Sequence, residues 1–304
     1  MEIRTVLLTG SSGFLGKILR SHLESINMNV KTLGRRPEDD YCSDLSKGKL
    51  IDIDSFDLIV HCAGKAHSIP NSEIEREAFF NVNTLGTQTL LCQVEKAQHL
   101  PKCFVLISTV AVYGKDSGTL ISEDTALLAK DPYGLSKVKA ERLVQDWCSQ
   151  NGVICTILRL PLIGGPNPPG NLHQMIKGIK KGYYFNIAGG RAKKSMVLAH
   201  DVAALIPKVA TIGGIYNLTD GVHPSFLQLS NIIAQQLSKG RPLNIPFWLA
   251  KIMAIFGDCL GKNAPINSLK LKKIKSDLTF DDSKARVELG WSPTSVLDGF
   301  NIHQ

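Results

Sequence analysis

No stretch of this 304-residue chain approaches the ~20 consecutive apolar residues that a membrane-spanning helix needs. The nearest case, 245–257, is short. It is expected as a helix buried against its own domain, with rest on a membrane surface as the alternative and no stable membrane insertion. A secretory leader is not expected either: Met1 to Leu8 meets Gly10 too soon, and no cleavage-type site follows. Low-complexity runs and internal repeats are missing. Seven cysteines, an odd number, lie scattered in apolar segments, as at Cys62, Cys92, Cys103 and Cys155, without paired metal-ligand spacing. That excludes a disulfide framework and a cysteine metal site, and it reads as reduced core thiols of a cytoplasmic protein with no metal.

Acidic residues are the scarcer charge, 27 against 35 Lys and Arg, for a net +8. The excess gathers at Arg35-Arg36, Lys180-Lys181, Arg191 with Lys193-Lys194, and Lys270 through Lys275. Aromatic residues make up only 7% and do not interleave with these clusters, which argues against nucleic acid as a partner. Ligands that carry phosphates account for the same excess; a solvated basic surface is the plain alternative.

What is present is ordinary for a globular protein, 43% hydrophobic and 20% charged, over a length that can bury a large core. Short apolar runs alternate with helical patterns, the signature of a parallel sheet covered by helices. Strands are expected at 5–9, 30–33, 57–62, 103–108 and 153–158, and helices at 14–25, 72–98 and 133–150. Pro161, Gly164, Gly165, Pro166, Pro168, Pro169 and Gly170 then mark a loop leaving the sheet. A helix at 171–181, a strand at 195–198, a helix at 201–210, a strand at 214–218 and a helix at 226–237 follow. The expected fold is α/β, a Rossmann-type doubly wound parallel sheet. Residues 1–165, joined by about 196–240, form its nucleotide-binding domain; 166–195 and 241–304 form a smaller C-terminal substrate-binding lobe.

Thr9-Gly10-Ser11-Ser12-Gly13-Phe14-Leu15-Gly16 follows a strand and opens a helix, the setting a dinucleotide turn requires. Glycine permits the tight turn and lets backbone N–H groups from Ser12 to Gly16 approach a pyrophosphate at the positive helix end. The spacing is G-x-x-G-x-x-G rather than G-x-G-x-x-G, so a bare structural turn stays open. An acidic side chain about twenty residues past such a turn usually meets a free ribose 2′-OH. Here that place reads Leu33-Gly34-Arg35-Arg36, without a carboxylate. Guanidinium groups suit a 2′-phosphate, so NADP(H) is favoured and NAD is possible. Asp44 and Leu45, at the end of a third strand, are candidates for the adenine, against a plain turn aspartate. Cys62-Ala63-Gly64 place small residues where the backbone passes near the cofactor.

Tyr133 and Lys137 lie four apart on one helical face, so an ammonium can sit near a phenolic oxygen. A free phenol has a pKa near ~10, and a neighbouring positive charge lowers it, giving a proton donor and acceptor usable near neutral pH. Coupled to a nucleotide-binding turn, the pair points to redox chemistry at a carbonyl or hydroxyl carbon. The plain alternative is a Tyr133 that, after Pro132, simply starts a helix.

TGSSGFLG (9–16), HCAG (61–64), NVNTLGT (81–87), ISTVAVYG (107–114), YGLSK (133–137) and LRLPLIGGP (158–166) together resemble the extended short-chain dehydrogenase/reductase superfamily. The likeness is to its nucleotide-sugar epimerase, dehydratase and reductase branch, and SDLTFDDSKARVELGW (276–291) is similar to that branch's C-terminal segment. The resemblance implies Tyr133 as general acid/base and Lys137 as the residue that holds the nicotinamide ribose and lowers the tyrosine pKa. Thr109, with Ser108 as the adjacent alternative, would hydrogen-bond the reacting oxygen. Asn83 takes an active-site position, and Pro161 and Ile163 become cofactor contacts. At the substrate end it implies Asn171, Lys194 and Lys272 or Lys273, with a solvated lysine as the alternative in each case. His67, Ser68 and His173 would lie near the sugar. Relatives pair through helices equivalent to 72–98 and 133–150, which implies a homodimer.

Two departures narrow the chemistry. Dehydratases of this branch carry an Asp-Glu pair after the catalytic threonine, and Val110 and Ala111 stand there instead. Epimerases that recycle a held cofactor usually show an acid where Gly34 stands. The resemblance therefore implies, first, NADPH-dependent reduction of a nucleotide-activated 4-keto sugar in cell-surface polysaccharide synthesis, similar to bacterial 4-ketohexosamine reductases of O-antigen pathways. A 4-epimerase acting on a UDP-hexose or UDP-N-acetylhexosamine is the alternative, and a non-catalytic NADP-sensing protein the third reading.

Overall fold

The computed structural model describes residues 3–66, 70–259 and 266–302. It opens with β1 (Thr5–Thr9), α1 (Phe14–Ser25), β2 (Asn29–Gly34), β3 (Tyr41–Cys42) and β4 (Leu58–His61). Helices α2 (Glu73–Phe80) and α3 (Gly86–Glu95) lead to β5 (Cys103–Thr109), β6 (Gly118–Ile121), α4 (Pro132–Asn151), β7 (Ile154–Leu160) and β8 (Leu162–Gly164). Then come α5 (Gly170–Lys181), β9 (Asn186–Ile187), β10 (Met196–Leu198), α6 (Ala199–Ile212), β11 (Gly214–Asn217), α7 (Phe226–Gln236) and β12 (Asn244–Ile245). The chain closes with α8 (Phe247–Cys259), α9 (Ser268–Lys275), β13 (Leu278–Phe280), α10 (Ser283–Leu289) and α11 (Val296–Gly299).

Seven strands form one parallel sheet in the order β11-β7-β5-β4-β1-β2-β3, the Rossmann-type arrangement expected. β1 lies between β2 and β4, so the winding reverses there, and ligands of open α/β sheets bind outside the carboxyl ends of strands at such a point. β4 and most of β1, β5 and β7 are buried, which is why they read as apolar runs. One face packs on Leu15, Leu19 and Leu23 of α1 together with α6. The other packs on Leu90, Leu91 and Val94 of α3 and on Val144 and Trp147 of α4. Outside the main sheet, β8 pairs with β10, β9 with β12 and β6 with β13. All seven cysteines are free thiols.

Two expected helices differ in ways that matter. The single helix over 72–98 is instead α2 and α3 joined by a π-turn at Asn81–Leu85, with Asn83 buried inside it. The π-turn swings the Asn83 side chain into hydrogen bonds with Lys65 and Ser136. The apolar stretch 245–257 forms α8, yet only Ala250, Ala254 and Gly257 are buried. Spacing of three and four sets these small residues on one stripe against Leu271 of α9, which leaves the large apolar side chains facing out.

Behind the sheet, α4 and β7 are fastened by a fully buried ion pair. Arg159 Nη2 donates to Glu141 Oε2 at 2.8 Å and Nε to Oε1 at 3.2 Å, and Ser108 Oγ donates to the same carboxylate. Arg159 Nη1 donates to the Tyr113 hydroxyl at 3.0 Å, which donates to Asn217 Oδ1 at 2.7 Å, so β11 joins the network. Removing one member strands a buried charge, which costs about 3–5 kcal/mol. Glu141→Leu or Arg159→Met should therefore lower the urea midpoint strongly. The Glu141→Leu/Arg159→Met double variant should lose less than either single change. A double variant that loses the sum of both would show that the charges stabilise independently.

Candidate active site

The turn between β1 and α1 is built from contacts that only glycine allows. Gly10 has φ +71°, and a Cβ there would stand 2.6 Å from the Ala63 nitrogen. A Cβ on Gly16 would stand 2.0 Å from the Gly10 carbonyl oxygen, so α1 sits directly on its own turn. Gly13 begins α1 without a side-chain cap, and Gly13, Phe14, Leu15 and Gly16 line a cavity of about 1100 Å³. Unsatisfied N–H groups at the positive helix end suit a pyrophosphate, so these residues fit a dinucleotide. Cys62, Ala63 and Gly64, then Pro161 and Ile163, form other walls of the same cavity.

Thr109, Tyr133 and Lys137 line that cavity too. Asp131 caps α4 by accepting from the Gly134 N–H at 3.0 Å, and Pro132 occupies the first helical position, so Tyr133 is fixed in the first turn. Its phenol lies beside the Thr109 hydroxyl, which itself accepts from the Ala111 N–H at 3.2 Å. Burial pushes the phenol above its ordinary pKa, against the downward pull of the Thr109 hydroxyl. Lys137, one turn on, is buried and donates from Nζ to the Ile107 carbonyl at 2.8 Å. Burial pulls its ammonium down to about 8, opposed by the Glu141 carboxylate. The expectation that Lys137 lowers the Tyr133 pKa is thus corrected: desolvation dominates, and the ammonium is spent on a β5 carbonyl.

The neighbouring polar residues support this set. Asn83 accepts from the Lys65 N–H at 2.7 Å and donates to the Lys65 carbonyl at 3.1 Å and to Ser136 Oγ at 2.9 Å. It thereby clamps the loop after β4 to α4. Ser108 lines the cavity, but its hydroxyl is committed to Glu141, which leaves Thr109 as the hydroxyl at Tyr133. His61 is buried between Thr9 Oγ1 (2.7 Å) and Thr87 Oγ1 (2.9 Å), and burial followed by the Lys137 charge pulls it down to about 3.

At the end of β2 the structure supplies what linear spacing overlooks. Arg35 and Arg36 are exposed, and Arg36 Nη1 lies 3.6 Å from Glu38. Asp39 folds back so that its carboxylate accepts from Ser11 Oγ at 3.0 Å and from the Arg36 N–H at 3.0 Å. A Cβ on Gly34 would lie 2.3 Å from Asp39 Oδ2. A carboxylate therefore stands where the sequence at Gly34 has none. Ser12 and Arg36 border the adjoining cleft with Asp39. Asp44 accepts from the N–H and the hydroxyl of Ser46, the local work of a turn aspartate, and Leu45 is buried behind it.

At the opposite end of the cavity lie Asn171, in the first turn of α5, and Lys194. Lys194 Nζ donates to the carbonyls of Lys273 (3.1 Å) and Ser276 (2.9 Å), which ties down the end of α9. Lys273 reaches the cavity and pairs with Asp116 at 2.8 Å; Lys272 and His173 do not line it. His67 and Ser68 lie outside the described residues. Sequence reasoning missed Asp39, His61 and the Glu141–Arg159 pair. The fully buried charges in the apolar settings of α4 and β7 were the available signal for the last.

The model of the NAD dependent epimerase/dehydratase family matches residues 6–218. A UDP-glucose 4-epimerase of Vibrio cholerae is 27% identical over 326 residues, covering 98% of this chain and 93% of that protein. An N-acetyl-alpha-D-glucosaminyl-diphospho-ditrans,octacis-undecaprenol 4-epimerase of Escherichia coli O157:H7 is 26% identical, covering 97% and 93%. In three dimensions the chain is similar to a UDP-glucose 4-epimerase of Thermotoga maritima solved with UDP-glucose. That match has a TM-score of 0.74 at 19% identity and covers 97% of this chain and 96% of the other.

Because the Lys137 ammonium is charged only below about pH 8, any step that needs it positive should fade as pH rises through that value. We expect kcat/KM to decline above about pH 8 in the native protein. Whatever activity Lys137→Arg retains should stay level there, since a guanidinium keeps its charge. A flat native profile from neutral to strongly alkaline pH would show that another group carries the charge.

Proposed function

The chain belongs to the NAD-dependent epimerase/dehydratase family, extended short-chain dehydrogenase/reductases that act as NAD(P)-dependent enzymes, and on that premise we propose that it is a nucleotide-sugar 4-epimerase. The observation that carries the reading is the meeting of Thr109, Tyr133 and Lys137 on the wall of the cavity that the uncapped start of α1 also lines. The Gly10–Gly16 turn would hold a nicotinamide dinucleotide, which would supply the hydride acceptor and donor. Tyr133 Oη takes the proton of the sugar C4 hydroxyl and returns it when the opposite configuration is restored. Thr109 Oγ1 steadies the same oxygen while it is a carbonyl, and Lys137, one turn along α4, would hold the nicotinamide ribose. Val110 and Ala111 line the cavity beside Thr109 and can neither donate nor accept a proton, which argues against dehydration.

In the same reading Asp39 would accept hydrogen bonds from the ribose hydroxyls of NAD, and the two relatives named above, both 4-epimerases, support the redox-neutral outcome. One observation favours a second reading, an NADPH-dependent reductase of a nucleotide-linked 4-keto sugar: Arg35 and Arg36 stand exposed past β2 and suit a 2′-phosphate.

The purified protein should interconvert UDP-glucose and UDP-galactose, or their N-acetylhexosamine counterparts, without added reductant. Heat-denatured supernatant should release nicotinamide cofactor. Steady NADPH consumption with a 4-keto nucleotide sugar, and no epimerisation, would establish the reductase instead. Tyr133→Phe should keep the cofactor and lose turnover by roughly 10²–10⁴-fold; full activity would remove Tyr133 from the chemistry.

Cofactor choice has its own measurement. Asp39→Asn should weaken NADH binding by roughly tenfold to a hundredfold, as expected for a lost charge-assisted hydrogen bond, while NADPH binding improves. Unchanged NADH affinity would show that Asp39 does not hold the ribose. A loss confined to NADPH in Arg35→Ala/Arg36→Ala would assign the site to the phosphorylated cofactor.

A further inference from the structure

Residues 241–276 hold seven Lys and Arg against a single acid, Asp258. They include α8, which inverts the usual amphipathic arrangement. A surface helix ordinarily buries its large apolar residues and shows polar ones to water. Here Ala250, Ala254 and Gly257 face inward, while Trp248 (65% exposed), Ile252, Ile255 and Phe256 (69% exposed) project outward. Leu243, 71% exposed, adds a further bare apolar side chain just before β12. Soluble monomers rarely leave so continuous an apolar surface bare.

The cations frame this surface. Lys251 lies on α8 itself, Lys272 and Lys275 on α9, and Lys275 Nζ rests 4.2 Å from the centroid of the Phe247 ring. Asp258 is turned to the first turn of α9, accepting from the Ser268 N–H at 3.0 Å. A face that joins aromatic and aliphatic side chains to a lysine rim matches the boundary of an anionic bilayer, where acyl chains meet phosphate headgroups. At 13 residues α8 is about 20 Å long, too short to span a membrane but long enough to lie in its surface. A second copy of the chain fits less well. A two-fold interface across α8 would set one lysine rim against the same rim of its mate.

We propose that the outward face of α8, with the lysines of α9, docks this protein flat on an anionic lipid membrane. Docking brings the substrate cavity to the bilayer surface, because Lys273 and Ile274 of α9 belong to the cavity wall.

Tryptophan fluorescence tests the proposal on the intact chain. Trp147 and Trp291 are buried, so Trp248 is the indole that lipid can reach. Vesicles of mixed phosphatidylglycerol and phosphatidylcholine should shift emission to the blue, and brominated lipids should quench it. The protein should sediment with these vesicles and be released by added salt. Trp248→Ser/Phe256→Ser should bind at least about tenfold more weakly by sedimentation, with melting temperature and turnover on a soluble substrate unchanged. Three results would overturn the proposal: no sedimentation of native protein at low salt, equal sedimentation of the variant, or self-association that the variant abolishes without any vesicle binding. The last would assign the face to a second copy.

Discussion

One chain of buried hydrogen bonds holds the parts of the site in register. Thr9 closes β1, His61 closes β4, Thr87 opens α3, Asn83 sits in the π-turn before it, and Ser136 lies on α4 beside Tyr133. Thr87 spends its proton on the Asn83 carbonyl at 2.7 Å and so accepts from His61 Nε2. The neutral ring then has a bare Nδ1, which accepts from the Thr9 hydroxyl, itself an acceptor of the Ala63 N–H at 3.1 Å. Asn83 donates to Ser136. Ser136 donates in turn to the Tyr133 carbonyl at 2.7 Å. Every hydroxyl gives its proton onward in one direction. A single histidine tautomer satisfies the whole run, and a cationic His61 would break it. Burial that holds His61 neutral down to about pH 3 therefore keeps the run intact across physiological pH.

The same dryness acts on Tyr133 and Lys137, and in the same sense. Low dielectric disfavours charge, so it raises the phenol and lowers the ammonium, moving both toward their neutral forms. The protein opposes this in two places. The Thr109 hydroxyl beside the phenol pulls its pKa down, and Glu141 lends a negative charge from the Arg159 pair to the neighbourhood of Lys137. The buried ion pair thus has a reason to exist beyond stability, where buried pairs contribute little on balance. It anchors α4 to β7 and supplies the potential that keeps the nearby ammonium protonated near neutral pH.

Much of this was legible in the residues. Strands buried on both faces announce themselves as apolar runs, and the α1 and α4 boundaries follow from Gly13, Pro132 and Gly152, whose backbone preferences are local. What escaped depends on direction rather than composition. Spacing rules count along the chain, so a carboxylate contributed by Asp39 through a reversal of the backbone is invisible to a rule that inspects Gly34. Likewise, periodicity says that α8 has a small-residue stripe and a large-residue stripe, but not which one meets the protein. Lys194 shows a third limit: a lysine at a phosphate-binding position carries the expected charge, yet its three protons can be claimed by the carbonyls of an adjacent helix end.

The placement of the excess positive charge follows from that last point. Helix α9 carries four lysines in eight residues, which repel one another and oppose helix formation unless the carbonyl end of the helix absorbs the charge. Lys194 adds a further cation at that end, half-buried, where burial already lowers its pKa. Such a concentration is costly for a helix whose only task is packing, since Leu271 is its one buried residue. It is tolerable where anions approach from outside: Asp116 meets Lys273, and a phosphate-bearing ligand or surface would meet the rest. The lysines of α9 and Lys194 thus gather one share of the positive charge at an edge of the cavity, next to the apolar face that α8 turns outward.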